Sequence, residues 1–135
     1  MSYPITDIEG IDDDEAATLK SVGIRSTERL LETARTVKGR KALAEKTGFD
    51  EKQLLCWANV ADRMRIKGIS KEYAGLLQAA GVDTVKELKY RNPANLASAM
   101  ADANKKRKMV RLLPSEKVVC RWIEHAKKLP LKITY

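Results

Sequence analysis

Apolar residues recur along the chain at three- and four-residue intervals, and the stretches between them hold capping residues rather than strand-like alternation. Asp12 suits the cap of a helix running to about Ser21, with Asp13, Asp14 and Glu15 in its first turn, where the helix dipole favours carboxylates. Gly23 suits a left-handed C-terminal cap. Ser26 or Thr27 opens a helix to about Ala34, and another runs from about Lys38 to Thr47 and stops at Gly48. Asp50 with Gln53 forms a capping box for a longer helix, 50–65.

The same order of signals follows in the second half. Ser70 caps a helix to about Ala80 that Gly81 ends, and Thr84 with Glu87 forms a capping box. Pro93 fits the first turn of a helix reaching about Lys108. Pro114 and Ser115 open the last helix, 115–129, which stops before Pro130. Leu131, Ile133 and Tyr135 alternate in a short extended tail. The expected fold class is all-α.

The two halves are copies. Residues 7–30 align on residues 65–88 without a gap at an offset of 58, pairing Ile8/Ile66, Gly10/Gly68, Ile11/Ile69, Ala16/Ala74, Leu19/Leu77 and Gly23/Gly81. Residues 50–64 align on 115–129 at an offset of 65, pairing Leu54/Val119, Trp57/Trp122 and Ala61/Ala126. The seven extra residues of the second copy fall before Pro114, in the stretch holding Lys105, Lys106, Arg107, Lys108 and Arg111. We therefore expect a first repeat over 1–64 and a second over 65–135, with helices 50–65 and 115–129 equivalent. The first hairpin has no helix before it, so helix 115–129 is expected to fold back beside Ile8 and Ile11. That would close one compact pseudo-two-fold domain with a single shared core.

Ile66-Lys67-Gly68-Ile69-Ser70 has the spacing of a helix-hairpin-helix turn: apolar, any, glycine, apolar, cap, then Ala74 and Leu77 in the next helix. The glycine permits a backbone conformation that a side chain would obstruct, and Ile66 and Ile69 plug the turn between its helices. A helix N-terminus also offers unpaired N–H groups and partial positive charge to a phosphate. Arg63, Arg65, Lys67 and Lys71 flank the second turn, so Arg63, Arg65, Lys67, Gly68, Ile69, Ser70 and Lys71 form the candidate DNA-binding hairpin. The first turn, Ile8, Gly10, Ile11 and Asp12, is surrounded by Asp7, Glu9, Asp13, Asp14 and Glu15 and reads as structural. In both turns the second glycine of the usual Gly-x-Gly hairpin is replaced, by Asp12 and by Ser70. Packing alone thus stands as the other reading of the second turn. Lys105, Lys106, Arg107, Lys108 and Arg111 form a second candidate contact segment, beside the plainer reading of a solvated helix C-terminus whose cations suit the dipole.

Composition sharpens this contrast. The chain of 135 residues carries a formal net charge of +8 and is 44% hydrophobic. Residues 1–66 hold 11 Lys/Arg against 12 Asp/Glu, whereas residues 67–135 hold 15 against 6. Such asymmetry argues for a polyanionic partner of the second copy. No apolar run approaches the roughly 20 residues that span a bilayer, and no leader pattern opens the chain. A cytoplasmic protein, monomeric and without membrane contact, is expected. Cys56 and Cys120 sit in apolar helical patterns beside tryptophans and read as reduced core residues.

With these residues in view, the chain resembles the bacterial family known as domain of unknown function 4332, a tandem helix-hairpin-helix group. The resemblance spans nearly the whole sequence. It rests on Gly39-Arg40, Ala42-Leu43-Ala44, Thr47-Gly48, Leu54-Leu55 with Trp57, Ala61 through Gly68, Gly81 through Val85, Arg91-Asn92-Pro93, and Trp122-Ile123 with Ala126. It implies a helix-hairpin-helix fold, and similar proteins are labelled as resembling the DNA-binding helical region of flap-endonuclease-type nucleases.

A nuclease needs convergent carboxylates to hold metal ions. Asp12-Asp13-Asp14-Glu15 is the one cluster, and successive helical residues point about 100° apart, so it reads as a first turn. His125 aligns with Val60, a core position, and has no nucleophile to serve. Trp57 and Trp122 read as core anchors. No catalytic residue, metal or cofactor is expected. The expectation is a non-enzymatic, sequence-independent DNA-binding module. A protein-interaction adaptor is the alternative, and a flap-endonuclease-like nuclease is less favoured.

Overall fold

Each helix start follows from a short polar side chain that folds back on the first turn. In the computed structural model, which describes residues 2–135, Asp12, Ser26, Thr36 and Asp50 cap α1 (Asp13–Ser21), α2 (Thr27–Ala34), α3 (Val37–Thr47) and α4 (Glu51–Arg63). Asn92 and Ser115 do the same for α7 (Pro93–Lys106) and α8 (Glu116–Lys128), and Thr84 for α6 (Val85–Lys89). α5 (Lys71–Ala79) differs, because the Ser70 side chain makes no cap hydrogen bond. The described residues hold eight α-helices, a 3₁₀ turn at Ile5–Asp7 and a lone Pro4–Ser26 bridge, with no strand. The protein is all-α.

Three local expectations are refined. Gln53 does not turn back on Asp50; its amide reaches Glu15 on α1 at 2.8 Å, while Asp50 accepts from the Lys52 N–H. α7 ends at Lys106 rather than Lys108. There the Asn104 side chain takes the N–H groups of Met109 (2.8 Å) and Val110 (3.1 Å) and donates to the Val110 carbonyl, turning the chain away. The cysteines are not core residues: Cys56 is exposed and Cys120 half-buried, each on the outer side of its helix.

The chain divides into two compact units, Met1–Arg65 with Lys132–Tyr135, and Ile66–Leu131. In the first, α4 packs on α2 and α3, and Ile5, Ile8, Leu19, Leu30, Leu54 and Trp57 are buried, with Phe49 edge-on to Trp57 at 5.1 Å. The C-terminal tail completes this unit. Thr134 donates its N–H to the Arg35 carbonyl (2.8 Å), buried Arg40 grips the Thr134 carbonyl (2.7 Å) and that of Ala34 (3.0 Å), and Tyr135 reaches Asn59.

The second unit repeats the order of elements. α8 packs on α6 and α7, α5 packs on α7, and Ile66, Ile69, Leu77, Leu88, Leu96, Val119 and Trp122 are buried. The helix stops also repeat: Ile24 N–H reaches the Leu19 carbonyl and, 58 residues on, Val82 N–H reaches that of Leu77, both at 2.9 Å. Helix 115–129, expected beside Ile8 and Ile11, packs on α6 and α7 within the second unit. α8 covers the turn at Gly68 in its own unit, and Gln53 of α4 holds the start of α1 in the other. Closure within a unit needs a shorter loop and a smaller entropic cost than an exchange across the chain.

Candidate nucleic-acid interface

The turn before α5 is built around Gly68, whose φ of +94° lies in the left-handed region; Gly10 holds the same place in the first unit at +95°. Ile66 and Ile69 are wholly buried on either side, and the Ile69 N–H closes the turn on the Ile66 carbonyl at 3.0 Å. Lys67, Gly68, Ser70 and Lys71 are left exposed.

The two turns lead into unlike helix starts. Asp12 accepts the Glu15 N–H at 2.7 Å, and the Glu15 carboxylate accepts the Asp12 N–H at 3.0 Å. This reciprocal box fills the α1 N-terminus with carboxylate, which repels an anion. At α5 the serine makes no such bond, so the first-turn N–H groups have no side-chain cap. The sequence expectation that Ser70 would cap α5 fails here. Ser70 holds the cap position with nearly the backbone of Asp12 (ψ −173° against 175°), but its hydroxyl makes no bond to the turn.

The basic segment approaches the same helix. Tyr73, in the first turn of α5, donates its hydroxyl to the Leu112 carbonyl at 2.8 Å. A cavity of about 470 Å³ lies between Glu72 and Tyr73 on one side and Lys108, Met109 and Arg111 on the other. Lys105, Lys106, Arg107, Lys108 and Arg111 are all exposed. The second unit thus brings its hairpin and its basic segment together.

Arg63 and Arg65 belong to the first unit. Arg63 is 1% exposed on α4, so it is withdrawn from the contact set. The Arg65 guanidinium is held by Asp62, with Nε 2.7 Å from Oδ1. Burial pushes the Asp62 carboxyl above its ordinary pKa, against the lowering pull of Arg65 and then Arg63, so these arginines serve an internal charge group of the first unit. Ile69 contributes packing rather than contact, since its side chain is fully buried.

Three residues were missed. His125 is half-buried rather than a core residue, and its Nδ1 accepts the Lys67 backbone N–H at 3.2 Å. Arg121 lies one helical turn before it, and with Val118, Trp122, Lys67 and Gly68 they line a cavity of about 400 Å³. Tyr73 packs against Trp122 with ring centroids 5.3 Å apart. A signal existed for α8: residues three and four apart share a helix face, so a buried Trp122 beside the turn carries Val118 and His125 with it.

Charge follows the units. Residues 66–131 hold 14 Lys/Arg against 6 Asp/Glu, so the whole formal charge of +8 lies in the second unit, while the first balances 12 against 12 once Lys132 joins it. Among the described residues, no group of three or more His, Cys, Asp or Glu side chains is placed to hold a metal ion, and no helix is long and apolar enough to cross a membrane.

The arrangement can be set against known proteins. A family model described as domain of unknown function (DUF4332) matches residues 9–129. The chain belongs to this family. The DUF4332 match runs from Glu9 through the Gly10 and Gly68 turns, the basic segment and α8, so most of both units falls within one family pattern. No curated protein and no solved structure matches the chain.

Proposed function

We propose that this DUF4332 protein is a non-enzymatic, cytoplasmic module of two tandem helix-hairpin-helix pseudo-repeats that binds DNA without sequence readout. Phosphates are held by the second hairpin, through Lys67, Gly68, Ser70 and Lys71, and by Lys105, Lys106, Arg107, Lys108 and Arg111. One observation carries this reading: α1 begins in a closed carboxylate box, whereas α5 begins uncapped in the unit that bears all the net charge. Backbone N–H groups and lysines at a helix start position a phosphate but carry no base information, so the binding is sequence-independent.

The test is affinity against salt, by fluorescence anisotropy on labelled duplex and single-stranded DNA. Three to five phosphate contacts give a slope of log affinity against log salt of roughly −3 to −4.5. The Lys67→Glu, Lys71→Glu double variant should weaken binding and flatten the slope. Absence of binding at low salt by the wild-type protein overturns the reading. The second reading, a protein-interaction adaptor, is favoured by Leu112, 76% exposed beside the basic segment. It predicts a protein partner whose binding survives the double substitution.

A further inference from the structure

The cavity between the Gly68 turn and α8 joins the apolar faces of Val118 and Trp122 to the polar groups of Lys67, Arg121 and His125. Trp122 is 2% exposed, and its indole Nε1 lies against Gly68 on the cavity wall. A Cβ on Gly68 would stand 3.0 Å from that nitrogen, so the missing side chain is what leaves the N–H open to the cavity. An indole N–H ordinarily finds an acceptor, and a group held in the cavity can supply one. His125 adds a second donor. Its Nδ1 accepts from Lys67, which in the neutral ring puts the proton on Nε2. Arg121 and Lys67 supply cationic donors at the rim, and no carboxylate lines the cavity. The first unit has no counterpart, since the Cβ position of Gly10 meets nothing within 4 Å.

We propose that this cavity is a phosphate subsite. The Trp122 indole N–H and the Arg121 guanidinium are its contacts, and His125 is the positioning residue that holds the Lys67 turn in place. Indole, guanidinium and ammonium donors with no carboxylate beside them select a group carrying acceptor oxygens and negative charge, which is the chemistry of a phosphate. The inference rests on the nucleic-acid reading above and extends it: a strand held at the α5 N-terminus continues onto α8, placing one phosphate over Gly68. That phosphate is either an internal diester or the terminal monoester of a strand.

The experiment uses the full chain labelled with nitrogen-15. The two indole N–H signals are assigned with a Trp57→Phe variant. Short oligonucleotides with and without a 5′-phosphate are titrated in, with inorganic phosphate as a third probe. The Trp122 indole signal should move on binding while that of Trp57 stays. A shift with either oligonucleotide marks an internal diester; a shift only with the 5′-phosphorylated strand or inorganic phosphate marks a terminal group. Arg121→Ala, at an exposed position, should lower affinity for the responding oligonucleotide roughly three- to tenfold and flatten its salt slope by about 0.9. An unmoved Trp122 signal at saturation, or an Arg121→Ala variant with wild-type affinity and slope, overturns the subsite. If Lys67→Glu, Lys71→Glu still weakens binding in that case, the wider reading stands. If the wild-type protein binds no oligonucleotide, both fall.

Discussion

Gly68 and Gly10 hold the same left-handed backbone, yet a methyl group added at each meets different surroundings. Either alanine must adopt a conformation that costs an L-residue about 1–2 kcal/mol. At Gly68 the new carbon also presses on the buried Trp122 indole, which cannot swing aside without disturbing its contact with Tyr73. Gly68→Ala should therefore cost about 2–3 kcal/mol against about 1 kcal/mol for Gly10→Ala. Urea unfolding followed by tryptophan fluorescence in single-tryptophan backgrounds measures both, and equal losses would show that the indole yields. The glycine requirement was legible in the repeat itself. The indole lying over only one of the two glycines was not, because the alignment pairs Trp57 with Trp122 and says nothing of where each ring points.

The starts of α1 and α5 are aligned position for position and differ by the two bonds of the Asp12–Glu15 box. Residue type announced a cap at both Asp12 and Ser70. With nearly the same cap backbone at both, whether a serine hydroxyl reaches the first turn depends on its side-chain torsion, which is not visible in the sequence. Asp12→Ala removes the bond to the Glu15 N–H and the support of the box, and should cost about 1 kcal/mol. Ser70→Ala removes no cap bond and should change stability by less than about 0.5 kcal/mol. Thermal or urea unfolding of the two variants tests the contrast; a comparable loss in Ser70→Ala would show that the hydroxyl caps α5 in solution. The loop after α7 teaches the same lesson. Its basic run is plain in the sequence, but its approach to α5 depends on the Asn104 and Tyr73 hydrogen bonds.

On the scale of the whole chain, the last four residues belong with the first unit. Lys132 hydrogen-bonds Glu32, and that bond, then the lysine charge, holds the Glu32 carboxyl below its ordinary pKa. A lowered carboxyl contributes stability that is present above the ordinary glutamate pKa and is lost as pH falls through the folded value. Removing residues 132–135 should return Glu32 toward its ordinary pKa and abolish that acid-side contribution, which is small because the pair is solvent-screened. It also takes the Thr134 carbonyl from buried Arg40, a loss of about 1–3 kcal/mol at all pH values. Carboxyl NMR titration and urea unfolding at pH 7 and pH 3 separate the two effects. A Glu32 pKa that stays low after truncation would assign the shift to Arg35 instead.

Sequence alone determined the all-α class, the repeated order of four helices, the glycine turns and the charge imbalance between the halves. These depend on periodicity, capping types and composition, which are local. Tertiary structure decided that α8 closes its own unit, that the tail neutralises the first unit, that Arg63 lies inside, and that an indole N–H, Arg121 and His125 meet over Gly68. Each of these needs residues dozens of positions apart to be brought together. A helical pattern fixes which side chains share a face, but only packing decides what that face meets.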